Sequence, residues 1–186
     1  TTSCTGFMIP SFDTFVVNNL GLKDNIKRLP ITELGCCAGA SALIYASDFL
    51  KAYPNKKVAV ITLEFPSNTI RLDDLSIENI VGTAIFSDGV SCSILETKNP
   101  GPEIVDTQMY HMGNSIDILG YNLTNQGLRM NLSKKLPNII KDTFEEVAGN
   151  FLKKNNIEIK DVDDFLIHPG GVKIIDNIEG VLAKYG

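Results

Sequence analysis

An α/β architecture is what this sequence predicts, and three observations carry that expectation. Val58, Ala59, Val60, Ile61, Thr62 and Leu63 form an unbroken apolar run of strand length, the pattern of a strand covered on both faces. Residues 136–154 set Ile139, Ile140, Phe144, Val147, Phe151 and Leu152 at helical spacing. Strand-like and helix-like stretches alternate along the chain instead of segregating, which is the α/β signature.

The elements follow in order. Residues 13–20 carry Phe15, Val16, Val17 and Leu20 in a short helical pattern, with Gly21 as its stop. Residues 40–50 are apolar almost all round, as a helix buried inside a fold would be. After Lys56 and Lys57 comes the 58–63 strand. Residues 83–86 and 90–95 flank Ser87-Asp88-Gly89 and read as a hairpin turning at Asp-Gly. Asn99-Pro100-Gly101-Pro102 is a loop and the expected internal boundary, dividing the chain into 1–98 and 99–186. The 136–154 helix follows, then a short strand at 165–167. A last helix over 172–184 uses Ile174, Ile175, Ile178 and Leu182. Both ends look abrupt, so the sequence is expected to be a piece of a longer polypeptide.

Composition narrows the function. The chain has 186 residues, 44% hydrophobic and 21% charged, with a formal charge of −5. These values fit a globular protein with a sizeable core. A net negative chain without a basic run argues against nucleic-acid binding. No apolar stretch approaches the roughly 18 residues of a membrane span. Residues 1–4 lack the pattern of a signal peptide. The four cysteines include a neighbouring pair and no Cys-x-x-Cys, so neither a disulfide framework nor a metal site is expected, and a reducing cytoplasm is. Asn122-Leu123-Thr124 and Asn131-Leu132-Ser133 match the glycosylation pattern by chance.

The chemistry concentrates in two places. Leu34-Gly35-Cys36-Cys37-Ala38-Gly39-Ala40 sets two thiols where a helix begins. A thiol there is polarised by the helix dipole and by free backbone N–H groups. Far downstream, Phe165-Leu166-Ile167-His168-Pro169-Gly170-Gly171 puts a histidine at the end of an apolar run before a glycine turn. A cysteine with a distant histidine is the minimum equipment for thiol nucleophilic catalysis.

With these motifs in hand, the chain resembles the type III polyketide synthases, the chalcone and stilbene synthase family of the thiolase-like superfamily. Thr1-Thr2-Ser3-Cys4-Thr5-Gly6 with Pro10 and Asp13 is similar to the family's T-x-x-G-x-x-x-P segment. Gly35-Cys36-Cys37-Ala38-Gly39 is similar to its G-C-x-A-G nucleophile motif, and the strand from Val58 ends in Glu64 as the family's does. The stretch from Asn79 to Gly89 looks like L-V-G-x-A-L-F-G-D-G, and His168-Pro169-Gly170-Gly171 like H-P-G-G.

That resemblance implies an incomplete thiolase-like fold: the end of the first half over 1–98 and the start of the second over 99–186. It implies Cys36 as nucleophile and His168 as its partner, with acyl-CoA and malonyl-CoA as substrates, a homodimer, and no metal or redox cofactor. Cys4 and Thr5 fall beside the nucleophile, and Ile70 and Met130 fall where plant members carry two gatekeeper phenylalanines. Tyr121 falls near a chain-length position, and Lys173 is assigned to the neighbourhood of CoA. Ile70 and Met130 would shape a neck for an aliphatic starter. The family's third catalytic residue, an asparagine in a G-N motif, belongs beyond Gly186, so the chain alone is expected to be catalytically incomplete. Two other readings stay open at this point: another thiolase-fold condensing enzyme of ketoacyl synthase III or hydroxymethylglutaryl-CoA synthase type, and a non-catalytic fragment or dimerisation scaffold. Cys37 and Cys92 are expected in the core, His111 in a surface or packing role, Asp88 in a turn, Lys134 and Lys135 on a solvated face, and Asp161, Asp163 and Asp164 in a charged loop.

Overall fold

The computed structural model describes residues 1–6, 8–125 and 127–185. The chain forms two compact units, Thr1–Thr107 and Gln108–Gly186. The helices and strands follow in the order α1 (Asp13–Asn19), α2 (Ala38–Ala52), β1 (Val58–Glu64), α3 (Ile77–Ile85), β2 (Gly89–Leu95), β3 (Leu119–Thr124), β4 (Gly127–Leu132), α4 (Leu136–Lys154) and α5 (Val172–Leu182). Among the described residues no helix is long and apolar enough to cross a membrane.

In the first unit β1 pairs antiparallel with β2, Val58 opposite Leu95 and Glu64 opposite Gly89. The other edge of β1 is taken by residues 1–3. Thr2 N–H donates to the Ile61 carbonyl at 2.9 Å, and Leu63 N–H donates to the Thr2 carbonyl at 3.0 Å. Thr2 also bridges in parallel to Ile31. β1 is therefore interior to the sheet, as its apolar run requires.

Helix α2 lies on this sheet through small side chains. Ala38, Ala42 and Ala46 recur every four residues and are buried, so they line one helix face. Ala42 and Ala46 pack with Val60 against Ile31, Val58 and Leu95. The site where Gly39 would carry a Cβ is 3.5 Å from the Thr62 methyl, so only a small residue permits this approach. The helix is not covered all round within its unit, because Leu43 and Tyr45 on other faces are exposed.

Three expectations are corrected here. Residues 83–86 do not form the first arm of a hairpin. They end α3, which Ser76 caps by accepting from Asn79 N–H at 3.3 Å. Ile77, Ile80, Val81, Ala84 and Ile85 repeat at helical spacing, and that period outweighs the Asp-Gly turn signal. Asp88 is committed elsewhere: it accepts from Ser67 N–H at 2.9 Å and Ser67 Oγ at 2.7 Å. Cys92 is exposed rather than core, because β2 presents nearly its whole length on the surface of this unit. Cys37 is exposed as well.

In the second unit β3 and β4 form an antiparallel hairpin. The long helix α4 packs against α5, whose Ile174, Ile178 and Val181 are buried. Burying such a side chain contributes about 1.5–3 kcal/mol. Asn177 Nδ2 donates to the Pro137 carbonyl at 3.0 Å, and Lys184 and Tyr185 both reach Glu145. Residues 165–167, expected as a short strand, belong to no strand ladder among the described residues. Phe165 is held instead by its ring, edge-on to Phe144 of α4 at 6.3 Å.

Candidate active site

In the first unit the nucleophile segment is shaped by backbone geometry. Glu33 and Gly35 both take left-handed conformations, at φ 65° and 55°. They turn the chain into a short 3-10 stretch, Gly35–Cys37, that runs directly into α2. Gly35 suits this turn because a Cβ there would strain the backbone. No side chain caps α2. Cys36 is exposed just ahead of the helix, where the partial positive charge of the dipole lies. The Cys37 thiol points back and donates to the Leu34 carbonyl at 2.9 Å.

Glu64, the last residue of β1, organises the rest. Its two carboxylate oxygens accept from Cys4 N–H at 3.0 and 3.2 Å. Oε2 also accepts from Thr5 N–H at 3.0 Å, from the Thr5 hydroxyl and from the Cys4 thiol at 3.5 Å. The Thr5 hydroxyl in turn accepts from Phe65 N–H at 2.7 Å. Burial and then the Glu64 charge push the Cys4 thiol up to about 12.

Within the first unit the surroundings of Cys36 disfavour its thiolate. Although the residue is exposed, partial desolvation of its sulfur raises the pKa first, then the neighbouring Cys37; a backbone hydrogen bond opposes them, and the Glu64 charge adds to the rise.

Ile70 ends the 3-10 turn Pro66–Thr69 and is 45% exposed. The Ser67–Asp88 hydrogen bonds fix this turn to the start of β2. An ion pair also braces the unit: Arg28 Nε donates to Asp13 Oδ2 at 2.5 Å, with the Asp13 side chain only 6% exposed.

In the second unit His168 is exposed. Its carbonyl accepts from Gly170 N–H at 2.9 Å, and the Gly171 carbonyl accepts from Ile174 and Ile175 N–H to start α5. Lys173 is exposed in the first turn of that helix. Met130 is half-buried in β4, directly opposite Tyr121 of β3. The first unit thus gathers Cys4 and Thr5 around Glu64 with Cys36 in its field, and the second gathers His168 and Lys173 around one glycine turn. His111, Lys134, Lys135, Asp161, Asp163 and Asp164 are all exposed. Among the described residues no group of three His, Cys, Asp or Glu could hold a metal.

Glu64 is the site residue that motif reading left without a role. Its signal was present: a carboxylate closing an otherwise apolar interior strand needs donors, and the neighbouring strand end supplies them.

Comparison with known proteins decides the family. The model of the chalcone and stilbene synthase N-terminal domain matches residues 1–99, and that of the C-terminal domain matches residues 103–184. The chain belongs to the chalcone and stilbene synthase family. A Bacillus subtilis protein named for chalcone synthase is 34% identical over 183 residues, which is 94% of this chain and 50% of that protein. The phloroglucinol synthase of Pseudomonas fluorescens is 33% identical, covering 95% of this chain and 51% of its own length. Among solved structures, 1,3,6,8-tetrahydroxynaphthalene synthase from Streptomyces coelicolor, a bacterial type III polyketide synthase, superposes with a TM-score of 0.92 at 26% identity over 98% of this chain and 52% of its own. The fold is therefore thiolase-like, as that of type III polyketide synthases is, and the chain spans about half the length of the curated relatives it matches.

Proposed function

We propose that this chain supplies the nucleophile and the catalytic histidine of a type III polyketide synthase, an acyltransferase that condenses an acyl-CoA starter with malonyl-CoA. The observation that carries the reading is Cys36, exposed ahead of α2 in a motif of the chalcone and stilbene synthase family.

In this mechanism the Cys36 thiolate attacks the starter thioester carbonyl, and the CoA thiolate leaves with a proton from solvent. Malonyl-CoA then loses CO₂, and the electron pair of the broken C–C bond becomes an enolate. That carbon attacks the Cys36-bound acyl carbonyl, forming the new C–C bond and expelling the Cys36 thiolate. His168 has two roles. As imidazolium it offsets the partial desolvation, the Cys37 neighbour and the Glu64 charge that oppose Cys36 ionisation. As a hydrogen-bond donor it steadies the malonyl thioester oxygen while the enolate forms.

Cys4 and Thr5 are assigned to the acyl cavity beside Cys36, Ile70 and Met130 to its neck, and Lys173 to the anionic part of CoA. With β-branched Ile70 and unbranched Met130 in place of two rings, the shape of the neck suits an aliphatic starter better than a flat aromatic one. The working assembly is a homodimer, and the free cysteines fit a reducing cytoplasm.

The test is peptide mass mapping after incubation with a radiolabelled aliphatic acyl-CoA. The expected result is one thioester adduct on Cys36, absent from Cys36→Ala. An adduct confined to Cys37 or Cys4, or no adduct in a folded sample of the complete synthase, overturns the assignment. Within the complete synthase, His168→Gln is expected to slow malonyl-CoA decarboxylation by about 10²-fold or more; an unchanged rate removes that role.

A further inference from the structure

Two free thiols share the electrostatic neighbourhood of Glu64 in the first unit, Cys4 and Cys36. A thioester that reaches one can in principle be captured by the other, so the chain needs a device that selects between them. The hydrogen bonds around Glu64 have the form of such a device. Its carboxylate is fixed from residues 4 and 5 by two backbone N–H donors and the Thr5 hydroxyl. Held there, it cannot swing away from the Cys4 sulfur, which donates to Oε2 at 3.5 Å. A Cys4 thiolate would lose that bond and face a carboxylate oxygen instead. Both thiols take a backbone hydrogen bond that favours the anion, but Cys36 feels the Glu64 charge without a hydrogen bond to its carboxylate.

We propose that Glu64 is a selectivity residue, holding the Cys4 thiol as a hydrogen-bond donor so that electrophiles are captured by Cys36 and not by Cys4. The groups that bear on Cys4 are Glu64 from β1 and Cys36 from the turn before α2, and both disfavour its ionisation. The proposal gives Glu64 a role that touches no acyl group: it acts through Cys4. Its purpose rests on Cys36 being the nucleophile, but its readout is at Cys4 and stands separately.

The experiment is alkylation of the purified chain with iodoacetamide across a pH series, with each cysteine followed by peptide mass mapping. Alkylation forms an S–C bond as iodide leaves and the thiol proton passes to buffer. In the unsubstituted chain Cys4 is expected to react slowest, with its rate still climbing at the alkaline end. Glu64→Gln keeps an oxygen acceptor for the 4 and 5 amides but removes the charge. It is expected to raise Cys4 labelling by about tenfold or more and to move its pH midpoint down. Glu64→Asp keeps the charge and is expected to leave Cys4 slow. If Glu64→Gln leaves the Cys4 rate and midpoint where they were, the proposal falls. It also falls if Gln and Asp accelerate Cys4 equally, because loosening of the segment then explains the effect. Repeating the series in Cys36→Ala separates the two ideas. Persistence of the Gln effect there supports the proposal, and its disappearance assigns the control to Cys36. Failure of Cys36 to take an acyl group from acyl-CoA would remove the nucleophile assignment while leaving the Cys4 comparison intact.

Discussion

Tyr121 and Met130 stand opposite each other in the β3–β4 ladder. Side chains at such paired positions project to the same face of the hairpin. Leu119 and Leu132 are the next pair on that face. Met130, assigned to the acyl neck, therefore has a rigid aromatic neighbour that limits how far it can move. Met130→Phe is expected to lower kcat/KM for a long aliphatic acyl-CoA by about tenfold relative to a short one, the scale set by a few methylene contacts. Tyr121→Ala is expected to shift the preference the other way. Steady-state competition between the two starters in the complete synthase checks both, and parallel changes for both starters would detach this face from the acyl path.

Cys36 and Cys37 are sequence neighbours with different surroundings. The Cys37 thiol is spent on the Leu34 carbonyl, whereas Cys36 stands at the positive end of α2. Cys36→Ala is expected to abolish acyl transfer and Cys37→Ala to leave most of it. Product assays on the two variants decide it, and equal losses would move the nucleophile.

Gly35 has φ 55° with nothing within 4 Å of the position its Cβ would take. Gly35→Ala therefore adds strain without adding a clash. The left-handed conformation costs about 1–2 kcal/mol for a residue with a Cβ, a loss of several degrees in Tm for a unit of this size. Thermal melts check the stability, and slower Cys36 alkylation at equal folded fraction would show that the turn also aims the thiol.

Asp13 carries a pH dependence whose sign is fixed by its neighbours. Burial works to raise its pKa, but hydrogen bonds from Ser11 and Arg28 and the Arg28 charge hold it below the usual carboxylate range. A lowered folded value means stability present above the ordinary value of about 3.9 and lost as pH falls through the folded value. Asp13→Asn is expected to melt lower than the unsubstituted chain at neutral pH and to converge with it in acid. Melts across pH 2–7 check this, and a constant gap would show that charge is not what Asp13 contributes.

Much of the architecture was legible because its signals are long. The apolar stripe of α4 spans several turns, and the 58–63 run has the length and β-branching of an interior strand. Short signals failed where a competitor was stronger. Ser87-Asp88-Gly89 resembles a hairpin turn, yet Ser76 and the Ile77–Ile85 spacing favour a helix and Asp88 bonds to Ser67 instead. The β3–β4 hairpin went unread although Leu119, Tyr121 and Leu123 alternate with polar residues, as Met130 and Leu132 do. The motifs named Cys36 and His168 but not the pull on the thiol, because the approach of Glu64 and Cys4 depends on residues 1–3 pairing beside β1, a contact sixty positions apart in sequence.

Gly170 is where the histidine motif meets packing. A Cβ added there would lie 3.3 Å from Ile174 Cδ1 and 3.5 Å from His168 Cδ2. Only the Ile174 distance is tighter than ordinary contact, so the buried Ile174 side chain must give by a few tenths of an ångström while the imidazole stays in van der Waals contact. Gly170→Ala is therefore expected to overpack the base of α5 and to cost about 1–3 kcal/mol of stability, leaving His168 in place. The check is malonyl-CoA decarboxylation by the complete synthase alongside a thermal melt. A melt that falls while the decarboxylation rate per folded molecule holds supports the reading, and a slower reaction at nearly unchanged Tm would show that the added methyl moves the imidazole instead.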